Sequence, residues 1–452
     1  MFGSEFTKTA LGEFWTGTIL GRFIIGPNLF CVVDRQWKKQ RKIANPAFRR
    51  SMPLPLFGRL TQKLFKVIDS STTGEDTPIT INVHPLMKRW TLDTLGNASF
   101  EFDFGAIDDS NNEWVLRYET ILHACEAPLF ALFPFLERRF LNWFPERKRI
   151  HDELTLFLDK MQEIIDKKRN KLLEQQKQQQ DELGQKKASP SSSDDSDYSN
   201  EDLLSLMIQN QLQETDVNNT LTDEELKSNL CVFFMAGNDT TTAALSFMIY
   251  HLAKHPEIQE RARQEAFRVL GNEPTDIIPT IQQSQELVYI TMVINETLRI
   301  TGPADSLTPR TATKDTELGG VFIPKGTNVT VSLYELHHNP RFWDQPDVFD
   351  PERFASSDSQ QNNGDDDDAN NNSINATHCS NKEMFAPFSS GSRVCIGKNL
   401  SMAQQKLFLP MLLRKYRWDL PEDSIHREKV ITETTMDVVH PVNLNINFKR
   451  IY

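Results

Sequence analysis

Cysteine is scarce in this chain: five in 452 residues, at 31, 125, 231, 379 and 395, widely spaced and with no CxxC. That excludes a disulfide scaffold and fits a reducing compartment. No zinc-finger spacing and no Arg-rich tail occur, so nothing points to nucleic acid. No glycine-rich phosphate fingerprint is present either, so the chain is not expected to bind NADPH itself. The most apolar early stretch, residues 18–33, is broken by Arg22, Gly26, Pro27 and Asn28. It falls short of the roughly 20 apolar residues a membrane span needs, and a cleavable signal is not evident.

What is present is length, acid and helix. A chain of 452 residues can bury a large core. The formal charge of -12 is uneven: residues 34–50 hold seven Lys or Arg against one Asp, while two low-complexity tracts carry much of the acid. The tracts, at about 174–200 and 355–381, read as disordered inserts in one domain spanning 1–452. Residues 1–33 read as short helices and loops. Helices are expected over residues 36–43, from 83 to 94, 112–124, 145–180, 256–269, 284–300 and 398–414. Thr222 stands three residues before Glu225, a capping box that opens a long apolar helix to about Lys254. A helix apolar nearly all round belongs inside the molecule. After Arg310 turn signals frame short strands at 321–323 and 328–333. The expected fold is mainly α with a minor β region.

The densest chemistry lies in residues 388–397, Phe-Ser-Ser-Gly-Ser-Arg-Val-Cys-Ile-Gly. A cysteine thiolate that ligates iron needs backbone N–H groups aimed at sulfur and a chain able to approach a flat macrocycle. It also needs a cation for the macrocycle's carboxylates. Gly391 and Gly397 offer backbone freedom. Arg393 offers the charge, and Phe388 can cover the sulfur. The helix beginning just past Cys395 favours an anion at its N-terminus. This segment resembles the cysteine-ligand signature of the cytochrome P450 family, Phe-x-x-Gly-x-Arg-x-Cys-x-Gly, at every fixed position.

The resemblance extends to other segments. Ala236-Gly237-Asn238-Asp239-Thr240-Thr241 is similar to the family's oxygen-activation motif, in which the alcohol (Thr240) steadies bound oxygen and the acid (Asp239) feeds protons. By itself such a segment is a polar notch, with Thr240 free to bond its i−4 carbonyl. Glu296 and Arg299 share a helical face and alone amount to a surface ion pair. With Arg353 they match the family's buried supporting network. Trp37 and Arg41, one helical turn apart, match a propionate-contacting pair, and Arg310 a further propionate position. His337 reads as structural, within reach of a propionate or the loop beside it.

The resemblance implies a haem b monooxygenase, with Cys395 as axial iron ligand and Asp239 and Thr240 catalytic. Electrons would come from an NADPH-cytochrome P450 reductase-like flavoprotein, with cytochrome b5 a further candidate partner. Lys38, Lys39, Lys42, Arg49 and Arg50 form either a solvated face or its docking patch. Phe14, Trp15, Phe23, Phe30, Phe233, Phe234, Ala304 and Leu307 are expected pocket liners, suited to an apolar fatty acid, sterol, terpenoid or xenobiotic. The full-length family member sits on the cytosolic face of the endoplasmic reticulum membrane; this chain shows no anchor of its own. The family normally carries more chain before the position of Trp37, so part of its N-terminal sheet and anchor region is expected to be lacking. Two other readings stay open: a haem-thiolate isomerase or dehydratase that needs no O2, and an inactive truncated member.

Overall fold

In the computed structural model the described residues are 6–8, 13–49, 52–70, 78–185, 202–214, 216, 219–355 and 384–452, with side chains described to residue 178 of the long helix that ends at 185. The chain enters through β1 (Phe6–Lys8), a single 3-10 turn and α1 (Ile19–Phe23), whose N–H at Gly21 is capped by the Thr18 hydroxyl at 3.0 Å. Then come α2 (Asp34–Arg49), α3 (Leu54–Ser70), β2 (Ile79–Asn82) and α4 (Val83–Leu95). The Asn112 carboxamide accepts from the N–H groups of Trp114 and Val115 at 3.1 and 3.4 Å and so opens α5 (Glu113–Cys125). Short α6 (Pro128–Leu132) and α7 (Pro134–Arg139) each start on a proline, whose missing N–H costs nothing at a first helical position.

The long elements follow: α8 (Pro145–Gln185), α9 (Leu203–Gln213), α10 (Asp223–Lys254) and α11 (Pro256–Leu270). Next are α12 (Ile281–Glu286), α13 (Val288–Ile300), β3 (Arg310–Ala312), β4 (Thr316–Leu318), β5 (Val321–Ile323), β6 (Asn328–Val329) and α14 (Leu333–His338). The chain closes with α15 (Lys398–Lys415), β7 (Tyr416–Asp419), β8 (Thr432–Thr435), β9 (Val438–Pro441) and β10 (Asn445–Arg450). All strand pairs among the described residues are antiparallel. They form the sheets β1-β3-β6 and β2-β10-β7 and the hairpins β4-β5 and β8-β9. The fold is mainly α with a minor, open β region, as the sequence predicts.

The α10 helix organises the interior. Its capping box is formed: the Thr222 hydroxyl accepts from Glu225 N at 3.1 Å, and the Glu225 carboxylate accepts from Thr222 N at 2.9 Å. From Leu226 to Ala253 most of its side chains are buried, as an apolar helix requires. Helix α4 packs along it, fixed by Thr91, whose hydroxyl lies 2.6 Å from both Asn238 Oδ1 and the Thr242 hydroxyl. Helix α15 is joined to it by the Thr241 and Ser401 hydroxyls, 3.1 Å apart.

Several elements differ from expectation, each for a physical reason. Helix α2 is longer than residues 36–43 and passes Pro46, which sits in its last turn where only one helical bond is lost. Residues 284–300 are two helices: the Glu265 carboxylate takes the N–H groups of Tyr289 and Ile290 at 3.0 and 2.8 Å, giving α13 its own start. Residues 328–333 are a strand of only two residues, because the Ser332 hydroxyl caps α14 through Glu335 N at 3.1 Å. Helix α8 runs to Gln185, so residues 174–185 of the first tract are helical. The rest of that tract to 200, the second tract from 356 and Cys379 lie outside the described residues. Strand β1 is an addition within 1–33, found only through its pairing with β3.

Candidate active site

Residues 388–397 form a closed loop. Cys395 N donates to Phe388 O at 2.9 Å, which brings the ends of the signature together. Gly391 takes φ +72°, a left-handed conformation with open space where a Cβ would be. Gly397 does not: its φ is -82°, and a Cβ there would stand 3.9 Å from the Cys395 sulfur. The expectation of backbone freedom therefore holds at Gly391 but not at Gly397, which instead keeps the chain close and slender beside the sulfur. Phe388 is half-buried against the core.

The Cys395 sulfur receives the N–H groups of Gly397 and Lys398 as α15 begins. Crowding by chain atoms pushes its pKa up; those N–H groups and the charges of Arg41 and Lys398 pull it down. The residue is nonetheless solvent-accessible. Surrounding atoms and an open side coexist here, as a sulfur needs if it is to meet a ligand. Among the described residues no three His, Cys, Asp or Glu side chains gather around a metal. A lone sulfur donor suits an iron whose other ligands belong to a macrocycle.

A cluster of cations adjoins the loop. Arg393 donates to Val32 O at 3.2 and 3.3 Å and lies 4.1 Å over the Trp37 ring on α2. Burial first, then Arg310 and Arg41, lower its pKa to about 10, with Asp34 opposing. Lys8 faces Arg310 across the β1–β3 register, donates to Phe30 O and sits 3.7 Å over the Phe30 ring. Burial, with repulsion from Arg393 and Arg310 and against the pull of Cys31, brings Lys8 down to about 7. Arg41 is half-buried within electrostatic reach of Cys395. So much like charge in one place fits the two carboxylates of a haem. Trp37, Arg41, Arg310 and Arg393 are thus brought together. Lys8 had no signal in the sequence, since only strand pairing puts it there.

On α10 the Thr240 hydroxyl donates to Ala236 O at 2.7 Å, the i−4 bond the sequence predicts. Ala236 is exposed although Phe233, Phe234 and Asn238 around it are buried, so the 236/240 face is an accessible stripe in the middle of a largely buried helix. Gly237 faces elsewhere: a Cβ there would meet Leu95 of α4 at 2.9 Å. Its small size lets α4 approach α10 closely. Asp239 is held by Tyr118, whose hydroxyl donates to Oδ2, and by Lys88, 3.8 Å from Oδ1. Burial raises its pKa, with Lys88, Tyr118 and His440 pulling down. Tyr118 and Lys88 escaped sequence reasoning because they sit on α5 and α4, more than a hundred residues away.

Glu296, Arg299 and Arg353 meet behind the loop. Arg299 is bidentate on Glu296 at 2.7 and 2.8 Å, Arg353 Nε lies 3.3 Å from Glu296, and Asp350 N donates to it at 2.9 Å. Arg299 also donates to His337 O at 2.8 Å. His337 Nε2 accepts from Ala386 N at 3.1 Å, two residues before Phe388. Burial drops the His337 pKa to about 3, so it is neutral and structural. Of the expected pocket liners, Phe23 and Phe234 are core residues stacked edge-on with Tyr118 and Phe157, and Phe233 packs edge-on against Phe48. Lys39 is engaged with Glu225 at 2.9 Å, which removes it from the free basic face; Lys38 and Lys42 remain exposed.

Comparison with known proteins agrees with this geometry. The model of the family described as Cytochrome P450 matches residues 4–448. Human cytochrome P450 3A5 is 27% identical over 425 residues, covering 92% of this chain and 74% of the human protein. Bovine cytochrome P450 3A28 is 27% identical over 459 residues, covering 98% and 80%. The crystal structure of the cytochrome P450DA heme domain superposes with a TM-score of 0.72 at 20% identity, over 99% of this chain and 84% of that one, a likeness of fold. With a cysteine loop, a central notched helix and a buried Glu-Arg-Arg network in one frame, and a family match over nearly its whole length, the chain belongs to the cytochrome P450 family.

Proposed function

We propose that the chain is a haem b monooxygenase that places one atom of O2 in an apolar small molecule while the other leaves as water. Its electrons originate in NADPH and arrive from a separate flavoprotein reductase, with cytochrome b5 a second donor. The observation that carries this reading is the solvent-accessible Cys395 sulfur under two backbone N–H groups, just before a helix bonded to the one that bears Asp239 and Thr240.

When bound, the haem supplies the oxygen chemistry. The chain's residues do the rest. Cys395 would give the iron its sulfur ligand, and the N–H groups of Gly397 and Lys398 would stabilise the charge of that sulfur. Phe388 limits water beside it. Arg393, Arg41, Arg310, Trp37 and Lys8 would hold the propionates. Thr240 presents its hydroxyl oxygen toward the accessible stripe while its proton is engaged by Ala236 O. Asp239 holds and releases a proton at its carboxyl. Glu296, Arg299 and Arg353 keep the loop in place.

We place the protein at the cytosolic face of the endoplasmic reticulum membrane. No helix among the described residues is long and apolar enough to cross a membrane. The support for a peripheral contact is an exposed cluster of Leu132 (72% exposed), Phe133, Phe135 and Trp143 (76% exposed) beside the exposed Arg138 and Arg139. That pairing of apolar bulk with cations suits a membrane interface.

The test is the absorption spectrum of the reduced, carbon monoxide-bound protein. The long-wavelength Soret band of a thiolate-ligated haem is expected, and Cys395→Ala is expected to abolish it. Equal haem binding with an unchanged spectrum in the variant would remove the basis of the reading.

A further inference from the structure

Lys8, Arg41, Arg310 and Arg393 crowd beside the cysteine loop, and two of them are tied to one stretch of backbone. Lys8 donates to Phe30 O and Arg393 to Val32 O, both in the link between α1 and α2. Like charges this close push one another apart unless something holds them. The carbonyls of Phe30 and Val32 hold these two, so the placement of the cations depends on what fixes the link.

The fixture is Asn28, which is fully buried. Its carboxamide oxygen accepts from Phe30 N at 3.1 Å and from Cys31 N at 3.0 Å. Its Nδ2 donates to Ile24 O at 2.7 Å and to the Ser228 hydroxyl of α10 at 3.0 Å. A carboxamide has two donor hydrogens and two lone pairs, and all four are used here. Gly26 permits the approach to α10: a Cβ there would stand 2.3 Å from Ser228 Oγ. Two buried side chains brace the turn from either side. Gln40 of α2 donates to Pro27 O at 2.8 Å, and Asn229 of α10 accepts from Leu29 N at 2.9 Å. The braces meet, with Asn229 Nδ2 donating to Gln40 Oε1 at 3.0 Å.

The peptide between residues 30 and 31 joins Asn28 to Lys8. It is trans, and a trans peptide is planar with its N–H and C=O pointing in opposite directions. Once Asn28 holds the Cys31 N–H, Phe30 O is aimed away from Asn28 and toward Lys8. Lys8 also lies 3.7 Å over the Phe30 ring and opposite Arg310 in the β1–β3 register.

We propose that Asn28 is a positioning residue for the haem carboxylates, acting through the 30–31 peptide to keep Lys8 beside Arg310 and Arg393. The inference rests on the haem reading and names what arranges its anion site in advance. A cation cluster already in place binds a carboxylate without first ordering its own side chains. An asparagine that only stapled the loop would matter equally whatever stood at position 8.

The test uses the haem-loaded full chain with Asn28→Ala, Asn28→Ser, Lys8→Met and each Asn28 variant combined with Lys8→Met. The reduced carbon monoxide spectrum is taken first. If the unsubstituted protein lacks the thiolate band, the haem reading fails by itself. With the band present, haem transfer to excess apomyoglobin is timed, and the propionate bending bands are followed by resonance Raman. Lys8→Met and Asn28→Ala are each expected to speed haem loss several-fold and to shift the propionate bands, with the iron–sulfur band unmoved. The combined variant is expected to lose haem no faster than the faster single one, because both changes act through one cation. Asn28→Ser keeps a hydroxyl that accepts local N–H groups more weakly, and is expected to fall between Asn28→Ala and the unsubstituted protein. If Asn28→Ala does not retain haem through purification, the cycle is read with Asn28→Ser. Effects of the two positions that multiply, or propionate bands that substitution of Asn28 leaves in place, would overturn the proposal.

Discussion

At the scale of single residues, two glycines of one signature have different physical duties. Gly391 is held at φ +72°. A side chain in that region costs roughly 1–2 kcal/mol from the clash of Cβ with the carbonyl. Gly391→Ala should therefore lower the urea unfolding midpoint and speed the transfer of haem to an external acceptor. Gly397 has an ordinary backbone, and a methyl would rest at 3.9 Å from the Cys395 sulfur, a normal contact. Gly397→Ala should fold with the stability of the unsubstituted protein and show its effect only in the position of the thiolate band. Equal stability losses in the two variants would contradict this division. The motif's letters do not distinguish the two positions; the backbone angles do.

At the scale of elements, the first helix is clasped to the middle of the chain by one carboxylate. Glu137 of α7, 2% exposed, accepts from Ile19 N of α1 at 2.8 Å. It also contacts Arg147 at 3.0 Å and His151 Nε2 at 2.7 Å on α8. Burial pushes its pKa up, but the hydrogen bonds of His151, Arg147 and the Ile19 N–H outweigh this and leave it below the usual carboxylate value. A depressed folded pKa means the stabilisation is fully present above the unfolded value, about 4.3, and is lost as pH falls through the folded one. Removing one partner of a buried pair costs about 3–5 kcal/mol. Glu137→Gln should thus be markedly less stable than the unsubstituted protein in urea at neutral pH. The difference should shrink as the pH falls into the acid range. A difference independent of pH would show that the charge of Glu137 is not what matters.

At the scale of the whole molecule, the basic face of α2 is smaller than its charge count suggests. Lys39 is bound to Glu225 at the start of α10, so its reversal would disturb the fold. Lys38 and Lys42 are exposed and free to steer an acidic donor. Lys38→Glu with Lys42→Glu should slow reductase-driven oxygen uptake at low ionic strength. The gap should narrow with added salt, as screening over about 10 Å at 0.1 M demands. The thiolate spectrum should be unchanged. Uptake that is insensitive to the pair at every ionic strength would leave α2 as a solvated surface.

The sequence by itself determined those features that depend on neighbours along the chain. The capping box at Thr222, the apolar span of α10, the Thr240 bond to Ala236 and the cysteine before a helix all follow from residues within a few turns of one another. The mainly helical class follows from the same periodicities. Tertiary structure alone decided what depends on distant segments. Strand pairing set Lys8 beside Arg310, α4 took up the space beside Gly237, and α5 and α4 supplied Tyr118 and Lys88 to Asp239. Phe23 and Phe234 became core, because a side chain's surroundings are fixed by packing and not by its own hydrophobicity. Local hydrogen bonding is written in short spacings; burial and electrostatic company exist only once separate elements meet.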